Sequence, residues 1–180
     1  LGTSDMSAAE IKLAFYNLAC NYHISASKDR VVVSLSGLAE NMPKAMELLE
    51  KVLADAQPNK EAYDGLVDDI LRSRLNDKAD QQANFRRLQT YAFYGPSNPS
   101  NTILSEAELR SMSPEALLQR ISQLSAMEHR VLYYGPLAMN EVSSTVASLH
   151  KVPENLSPVP ENDVFKLQTV NENVVYIAPY

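Results

Sequence analysis

Several features that would indicate a function directly are missing from this sequence of 180 residues. Cys20 is the single cysteine, so an internal disulfide is impossible. There is no run of about eighteen apolar residues that could span a membrane, and no glycine-rich loop for phosphate. The net charge is −6 and the one basic cluster is the short pair Arg86-Arg87, which argues against a nucleic-acid surface. The composition that remains is typical of a soluble globular protein.

The first ten residues, LGTSDMSAAE, differ from a usual protein start. Leu1 stands where a methionine is expected, and LGTSD resembles the tail of a preceding element. We therefore expect the chain to be a fragment or a processed piece. The stretch lacks the basic and apolar regions of a signal peptide, so it does not indicate a compartment.

A helix followed by two strands is predicted at the start of the chain. Ser7 and Glu10 enclose a capping box, SAAE, and a helix should follow it. Apolar residues then recur at helical spacing, and Cys20 lies on their side, where we expect it to be buried. This stripe consists of Ile11, Ala14, Phe15, Leu18 and Tyr22. HISAS and RVVVSLSGL predict two strands joined at Lys28-Asp29, and Val31, Val33 and Leu35 should share the buried face.

The rest of the chain adds helices and three short strands. Helical spacing predicts helices over 41–56, 60–75, 79–94 and 140–149, with further helix starts at Ser105 and Ser113. β-branched and aromatic residues predict strands at Arg130 to Tyr134, at VFKLQTV and at NVVYIAP. Strands separated by groups of helices predict an α+β fold, with an antiparallel or mixed sheet packed against a layer of helices.

The stretch EHRVLYYGP contains Glu128 and His129, a pair that could end the zinc-binding signature H-x-x-E-H. That signature needs a histidine three residues before the glutamate, and Ser125 occupies the position. His23 and His150 also lack a second histidine or cysteine at a metal-ligand spacing. We expect a structural or surface role for all three histidines and predict no metal ligand in this chain.

No catalytic group is indicated by the acidic residues or the serines. Asp68 and Asp69 are neighbours in a predicted helix, where adjacent side chains point about 100° apart and do not converge on one ion. A solvated face is their expected role. No serine lies in the G-x-S-x-G turn that exposes a nucleophile.

An aromatic group is the candidate for binding. Aromatic rings bury area at low entropy cost and keep a polar tip, as in peptide grooves, although core packing is the more common role of any one ring. The group consists of Tyr91, Phe93, Tyr94, Tyr133 and Tyr134. Its four tyrosines are our candidate peptide-binding residues. An extended peptide could instead pair with a strand edge, at Arg130 to Tyr134 or at Val174 to Ala178.

The order of five segments resembles the pitrilysin/insulinase family of zinc metallopeptidases. In chain order they are LGTSDMSAAEIKLAFYNLACNYHISASKDRVVVSLSGL, MPKAMELLEKVL, NKEAYDGLVDDILRSRL, YAFYGPSNPSNTILSEAEL and EHRVLYYGP. Together they cover nearly the whole chain. Members of this family consist of two related halves around a peptide chamber, and one half carries the zinc. The resemblance implies one peptidase-like domain over 1–180 that lacks its first strand and motif helix, with 151–180 as linker and closing strands.

The same resemblance implies that this half is non-catalytic. The family's zinc helix runs into a GT segment, which Gly2-Thr3 resembles, so the motif would lie before Leu1. A glutamate ligand is expected in the stretch that DDILRSRL resembles, and Ser73 stands near that position. Serine is a poor zinc ligand beside a carboxylate. SNPSNTILSEAEL and HRVLYYGP look most like the second, inactive half of bacterial relatives.

The resemblance therefore implies an inactive domain with no cofactor of its own, paired with a zinc-bearing half in the same polypeptide. It would form part of the chamber wall and bind the peptide substrate, in a soluble protein that could be periplasmic or associated with a bacterial cell envelope. Two alternatives stay open. The chain could be the zinc-bearing half cut just after its motif, with Asp68 or Asp69 as the missing ligand. It could also be a non-proteolytic scaffold subunit, because fold does not determine function.

Overall fold

The described residues of the computed structural model are 2–27 and 29–179, and they form seven α-helices and one hairpin of two antiparallel strands. The elements are α1 (Ala8–Asn17), β1 (Cys20–Ala26), β2 (Val31–Gly37), α2 (Met42–Asp55), α3 (Lys60–Ala79), α4 (Gln81–Tyr94), α5 (Glu106–Ser111), α6 (Pro114–Ser122) and α7 (Met139–Leu149). Three short 3-10 turns, Ala39–Asn41, Pro99–Asn101 and Leu124–Ala126, lie between them. The predicted α+β class is confirmed. Lys28, one of the two predicted turn residues, lies outside the described residues.

The chain divides into two compact units. The first consists of Leu1–Asn59 and Pro114–Asn162, so it contains the hairpin and helices α1, α2, α6 and α7. The second consists of Lys60–Ser113 and Asp163–Tyr180 and contains α3, α4 and α5. Each unit is thus built from two separate stretches of the chain.

Helix α1 begins at the predicted capping box. The backbone N–H of Glu10 donates to Ser7 Oγ at 3.3 Å, and the backbone N–H of Ser7 donates to Glu10 Oε2 at 2.7 Å. These bonds satisfy two donors that a helix start leaves without intrahelical partners. Ser105 and Glu108 form the same box at the start of α5, which confirms the second helix start that the sequence predicts there.

The core of the first unit lies where α1, α2 and the hairpin meet. Its buried members are Ile11, Phe15, Cys20, Ala45, Leu49 and Val52. Tyr22 and Leu35 pack against this cluster from β1 and β2, and the rings of Phe15 and Tyr22 lie 4.8 Å apart. The predicted burial of Cys20 is confirmed, but Cys20 and Tyr22, which the sequence predicts on the apolar side of a helix, lie on β1 because α1 ends at Asn17.

The burial predicted for β2 is wrong at Val31 and Val33, the two positions near the turn. Val31 and Val33 are 47% and 37% exposed, whereas Leu35 on the same face contacts the core. Cross-strand pairs explain the difference, because Cys20, Tyr22 and Leu35 all lie at the end of the hairpin next to α1. The helices cover that end, and the end near the turn extends beyond them.

The three later strand predictions are also wrong for the described residues. Residues 130–134, 164–170 and 173–179 carry no regular secondary structure. One isolated parallel bridge, between Met127 and Ser157, is the sole pairing described in this part of the chain. A strand needs a second strand to pair its backbone groups, and no described strand pairs with these three segments. Their apolar side chains are therefore largely exposed, Leu132 and Val175 among them.

The second unit is held together by α3 and by contacts at the ends of α4 and α5. Tyr63 and Val67 of α3 are buried, and the Tyr63 hydroxyl donates to the carbonyl of Leu109 at 2.6 Å. Gln168 caps the last turn of α4, since its backbone N–H donates to the Phe93 carbonyl at 2.7 Å and its Nε2 to the Tyr91 carbonyl at 3.0 Å. The Tyr91 carbonyl also accepts from the Gly95 N–H, whereas the Phe93 carbonyl lies where a helix end leaves carbonyls without intrahelical partners, so Gln168 stabilises this end.

Acid should loosen the first residues from α2. Asp55 Oδ2 accepts from the backbone N–H of Ser4 at 2.9 Å and from its hydroxyl at 2.6 Å, and Lys51 donates to Asp5 at 2.6 Å. The Ser4 hydrogen bonds hold the pKa of Asp55 below its usual value, and the Lys51 hydrogen bond does the same for Asp5. A carboxyl whose pKa is lowered by folding stabilises the folded state above its unfolded pKa, and that stability is lost as pH falls through the folded pKa.

We therefore expect the free energy of unfolding to fall as the pH drops below about 4. Asp55→Asn should show a shallower loss, because one of the titrating groups is gone. Urea unfolding between pH 7 and pH 2 measures both. Asp69→Asn is the matched control, since Asp69 makes only a 3.9 Å ion pair with Arg72 on the exposed face of α3. Equal pH dependence in the wild type and Asp55→Asn would contradict the prediction.

Candidate peptide-binding surface

The outer edge of β2 presents unpaired backbone groups. The Ser27 N–H donates to the Arg30 carbonyl at 2.9 Å, which marks this pair as hydrogen-bonded across the turn. Opposed residues in an antiparallel pair of strands alternate between hydrogen-bonded and non-hydrogen-bonded pairs. The next pair, Ala26 with Val31, is therefore not hydrogen-bonded across the hairpin, and its N–H and C=O groups point outward. The same holds at every second residue, so the N–H and C=O groups of Val31, Val33 and Leu35 face away from β1. No described segment pairs with this edge.

Most side chains of both strands near the turn are apolar. Ile24, Val31, Val32 and Val33 are all exposed. A long apolar edge without a partner is a ready template for another strand, and proteins usually cover or interrupt such edges. The end of the hairpin near the turn is therefore the surface of the first unit best suited to an added extended backbone.

The four candidate tyrosines do not belong to one unit. Tyr91 and Tyr94 lie on α4 in the second unit, and Tyr133 and Tyr134 follow the first unit's last 3-10 turn. The ring of Tyr91 packs edge-to-face against Tyr176 at 6.0 Å. The Tyr133 hydroxyl accepts a hydrogen bond from the Leu137 N–H at 3.2 Å, whereas Tyr134 is fully exposed. Peptide binding by these residues stays a prediction.

The acidic pair of α3 lies on a solvated face, as predicted. Asp68 pairs with Arg110 at 3.4 Å and Asp69 with Arg72 at 3.9 Å. Asp68 also lines an open depression of about 420 Å³ in the second unit. The other lining residues are Lys60, Tyr63, Asp64, Val67 and Arg110. Its charged groups pair with one another, Lys60 with Asp64 and Arg110 with Asp68, so the depression offers no free charge for a ligand.

Two of the three histidines meet in the first unit, which their sequence spacing does not indicate. His129 Nε2 and His150 Nε2 lie 2.9 Å apart, although 21 residues separate them in the chain. His150 Nδ1 also lies 2.8 Å from Glu50 Oε1 of α2. His23 is exposed on β1 and has no part in this cluster. Among the described residues there is no group of three or more His, Cys, Asp or Glu side chains that could hold a metal ion.

No protein-family model matches the chain, and no curated protein sequence matches it either. Solved structures do match. A mutant of the ferredoxin protease FusC, in a crystal structure with Arabidopsis ferredoxin, superimposes on 93% of this chain with a TM-score of 0.70 and 16% sequence identity. The matched part is 18% of the FusC chain.

The chain therefore has the α+β fold of one domain of a pitrilysin-like protease. FusC, the protein that shows this, is a protease of the pitrilysin family, so the fold predicted from the order of the segments is confirmed. Among the described residues, no helix combines the length and the apolar character needed to cross a membrane.

Proposed function

We propose that this chain is a non-catalytic, peptidase-like domain of a zinc metallopeptidase. The observation that supports the proposal is the match of nearly the whole chain to a small part of a protease. The zinc belongs to a partner half in the same polypeptide, and the chain has no peptidase activity alone. Ser73, near the position of the expected glutamate ligand, is exposed on α3 and agrees with this division.

In this proposal the domain forms part of the chamber wall and holds the substrate as an added strand. The outward N–H and C=O groups of Val31, Val33 and Leu35 pair with the peptide backbone, which gives affinity without demanding one peptide sequence. Closure of the wall excludes water from the zinc in the other half. The four candidate tyrosines are secondary contacts, and Tyr134 is the most open of them.

The test is a proline on the outer edge of β2, in the complete protein. Val33 donates no hydrogen bond to β1, so Val33→Pro removes an outward donor and leaves the hairpin ladder intact. We expect KM for an unfolded peptide to rise about tenfold, with kcat nearly unchanged, because the lost contact is a binding contact. Because FusC is a ferredoxin protease, a folded ferredoxin is a suitable second substrate.

Val33→Ala is the matched control, since it shortens the same side chain and keeps the N–H. Its KM should stay close to the wild-type value. An unchanged KM in Val33→Pro overturns the edge contact. If Val33→Pro does not fold and Val33→Ala does, the edge contact is also overturned. That result would mean that another strand of the same protein covers this edge. A complete wild-type protein that cleaves neither substrate with zinc present would favour the scaffold alternative.

A further inference from the structure

The histidine pair of the first unit connects three separate elements. Glu50 belongs to α2, His150 is the C-cap residue of α7, and His129 follows the last 3-10 turn of that unit. The backbone around His129 is held by the bridge to Ser157, whose carbonyl accepts from the Glu128 N–H at 2.8 Å. The Glu50 and His150 side chains are largely buried, and His129 is open to solvent. The pair is therefore both well positioned and reachable.

Hydrogen-bond counting assigns the tautomer of each ring. His129 Nδ1 lies 2.6 Å from the carbonyl oxygen of Met127, which can only accept, so this nitrogen carries the proton. His150 Nδ1 faces the carboxylate of Glu50 at 2.8 Å and carries its proton for the same reason. In the neutral rings, each Nε2 atom then has no proton and carries a lone pair. They point at each other across 2.9 Å, with the ring centroids 5.0 Å apart.

Two facing lone pairs repel, and a cation between them removes the conflict. Histidines that bind metals donate their other ring N–H to a carboxylate or a backbone carbonyl, and this second contact orients the ring. Glu50 and the Met127 carbonyl make these two contacts here. The pair thus has the supporting contacts of metal ligands as well as two converging Nε2 atoms.

We propose that His129 Nε2 and His150 Nε2 bind one divalent transition-metal ion, with water completing its coordination. Imidazole nitrogen suits Zn²⁺, Cu²⁺ and Ni²⁺. Zinc binds histidine nitrogen at about 2.0–2.1 Å, so two nitrogens on a tetrahedral ion lie about 3.3 Å apart. The present separation is 2.9 Å, so the exposed His129 ring must rotate to widen the gap and to turn both lone pairs toward one ion. The inference departs from the prediction of no metal ligand and does not rest on the proposed peptidase role.

Such an ion would link the segment around His129 to His150 at the end of α7, and through the Glu50 contact to α2. Binding to the folded state alone raises stability by mass action. It would therefore stabilise the first unit without taking part in any reaction. The readouts that follow are bound metal and melting temperature, and neither depends on peptidase activity.

The experiment is equilibrium dialysis of the complete protein against Zn²⁺, comparing the wild type with His129→Gln. We expect the wild type to bind one more Zn²⁺ than the variant, and its melting temperature to rise by roughly 5 °C at saturating Zn²⁺. Glu50→Gln keeps an acceptor for His150 but loses the charge. It should weaken Zn²⁺ binding at this site about 10- to 100-fold. His23→Gln, an exposed histidine outside the pair, should behave as the wild type.

Equal Zn²⁺ content in the wild type and His129→Gln would overturn the proposal. So would a pair that holds a shared proton instead, which ¹⁵N spectra of the histidine rings show as a protonated Nε2 that saturating Zn²⁺ leaves unchanged. If His129→Gln does not fold, Glu50→Gln decides, and unweakened Zn²⁺ binding in that variant counts against the site.

Discussion

Replacing Phe15 by alanine lowers the free energy of unfolding by about 3–5 kcal/mol, the usual cost of removing a buried aromatic side chain. Phe15 is 3% exposed and belongs to the first unit's core. The centroid of its ring lies 4.8 Å from that of Tyr22. The loss combines the transfer energy of the ring with the cavity that it leaves. Because Tyr22 lies on β1, the variant should also loosen the hairpin from α1.

The neighbouring residue provides the control for this result. Tyr16 has a ring of nearly the same size, one position further along α1, but it is 77% exposed. Tyr16→Ala should change the free energy of unfolding by about 0.5 kcal/mol or less. Urea unfolding of the two variants, followed by circular dichroism, measures the difference. Similar losses in both variants would mean that the stripe predicted from the sequence does not face the core.

Replacing Gly37 by alanine is the second large effect, at about 2–4 kcal/mol of lost stability. Gly37 ends β2 opposite Cys20 and has a φ of +154°, a backbone conformation that residues with a side chain rarely adopt. A Cβ there would lie 2.6 Å from the Ala19 carbonyl oxygen and 2.7 Å from Cys20 Cα. Both are backbone atoms, so the strands themselves must move apart.

Gly65 is the control, because the same substitution should there act in the opposite direction. It lies in the middle of α3, and an added Cβ meets no atom within 4 Å. Alanine is the better helix former, so Gly65→Ala should stabilise the protein by about 0.5–1 kcal/mol. Thermal unfolding of both variants gives the two signs. A neutral Gly37→Ala would show that β1 and β2 can separate at this end without loss.

The Gly37 variant also affects the proposed peptide contact. The outward direction of Val31, Val33 and Leu35 depends on the register of β2 against β1. A shift by one residue would turn each of these backbone groups inward and move Leu35 out of the core. Gly37 therefore matters for the candidate edge although it does not lie near the turn.

The sequence alone was sufficient for the parts of the fold that depend on near neighbours in the chain. The capping boxes at Ser7 and Ser105 act over three residues, and the apolar stripes of α1 and α2 follow the helical period. The hairpin was recognisable as well, because its two strands are separated by a short turn. The order of these segments also pointed to the pitrilysin-like fold, since order along the chain is a property of the sequence.

Tertiary structure alone decided which of the predicted surfaces are covered and which distant groups meet. Residues 130–134 have the composition of a strand but no described partner, and a strand is stabilised by the segment beside it and not by its own residues. Val31 and Val33 are exposed because the helices end short of them. His129, His150 and Glu50 come together through the packing of α2 and α7, since side chains up to a hundred residues apart can meet only when the elements that carry them pack together.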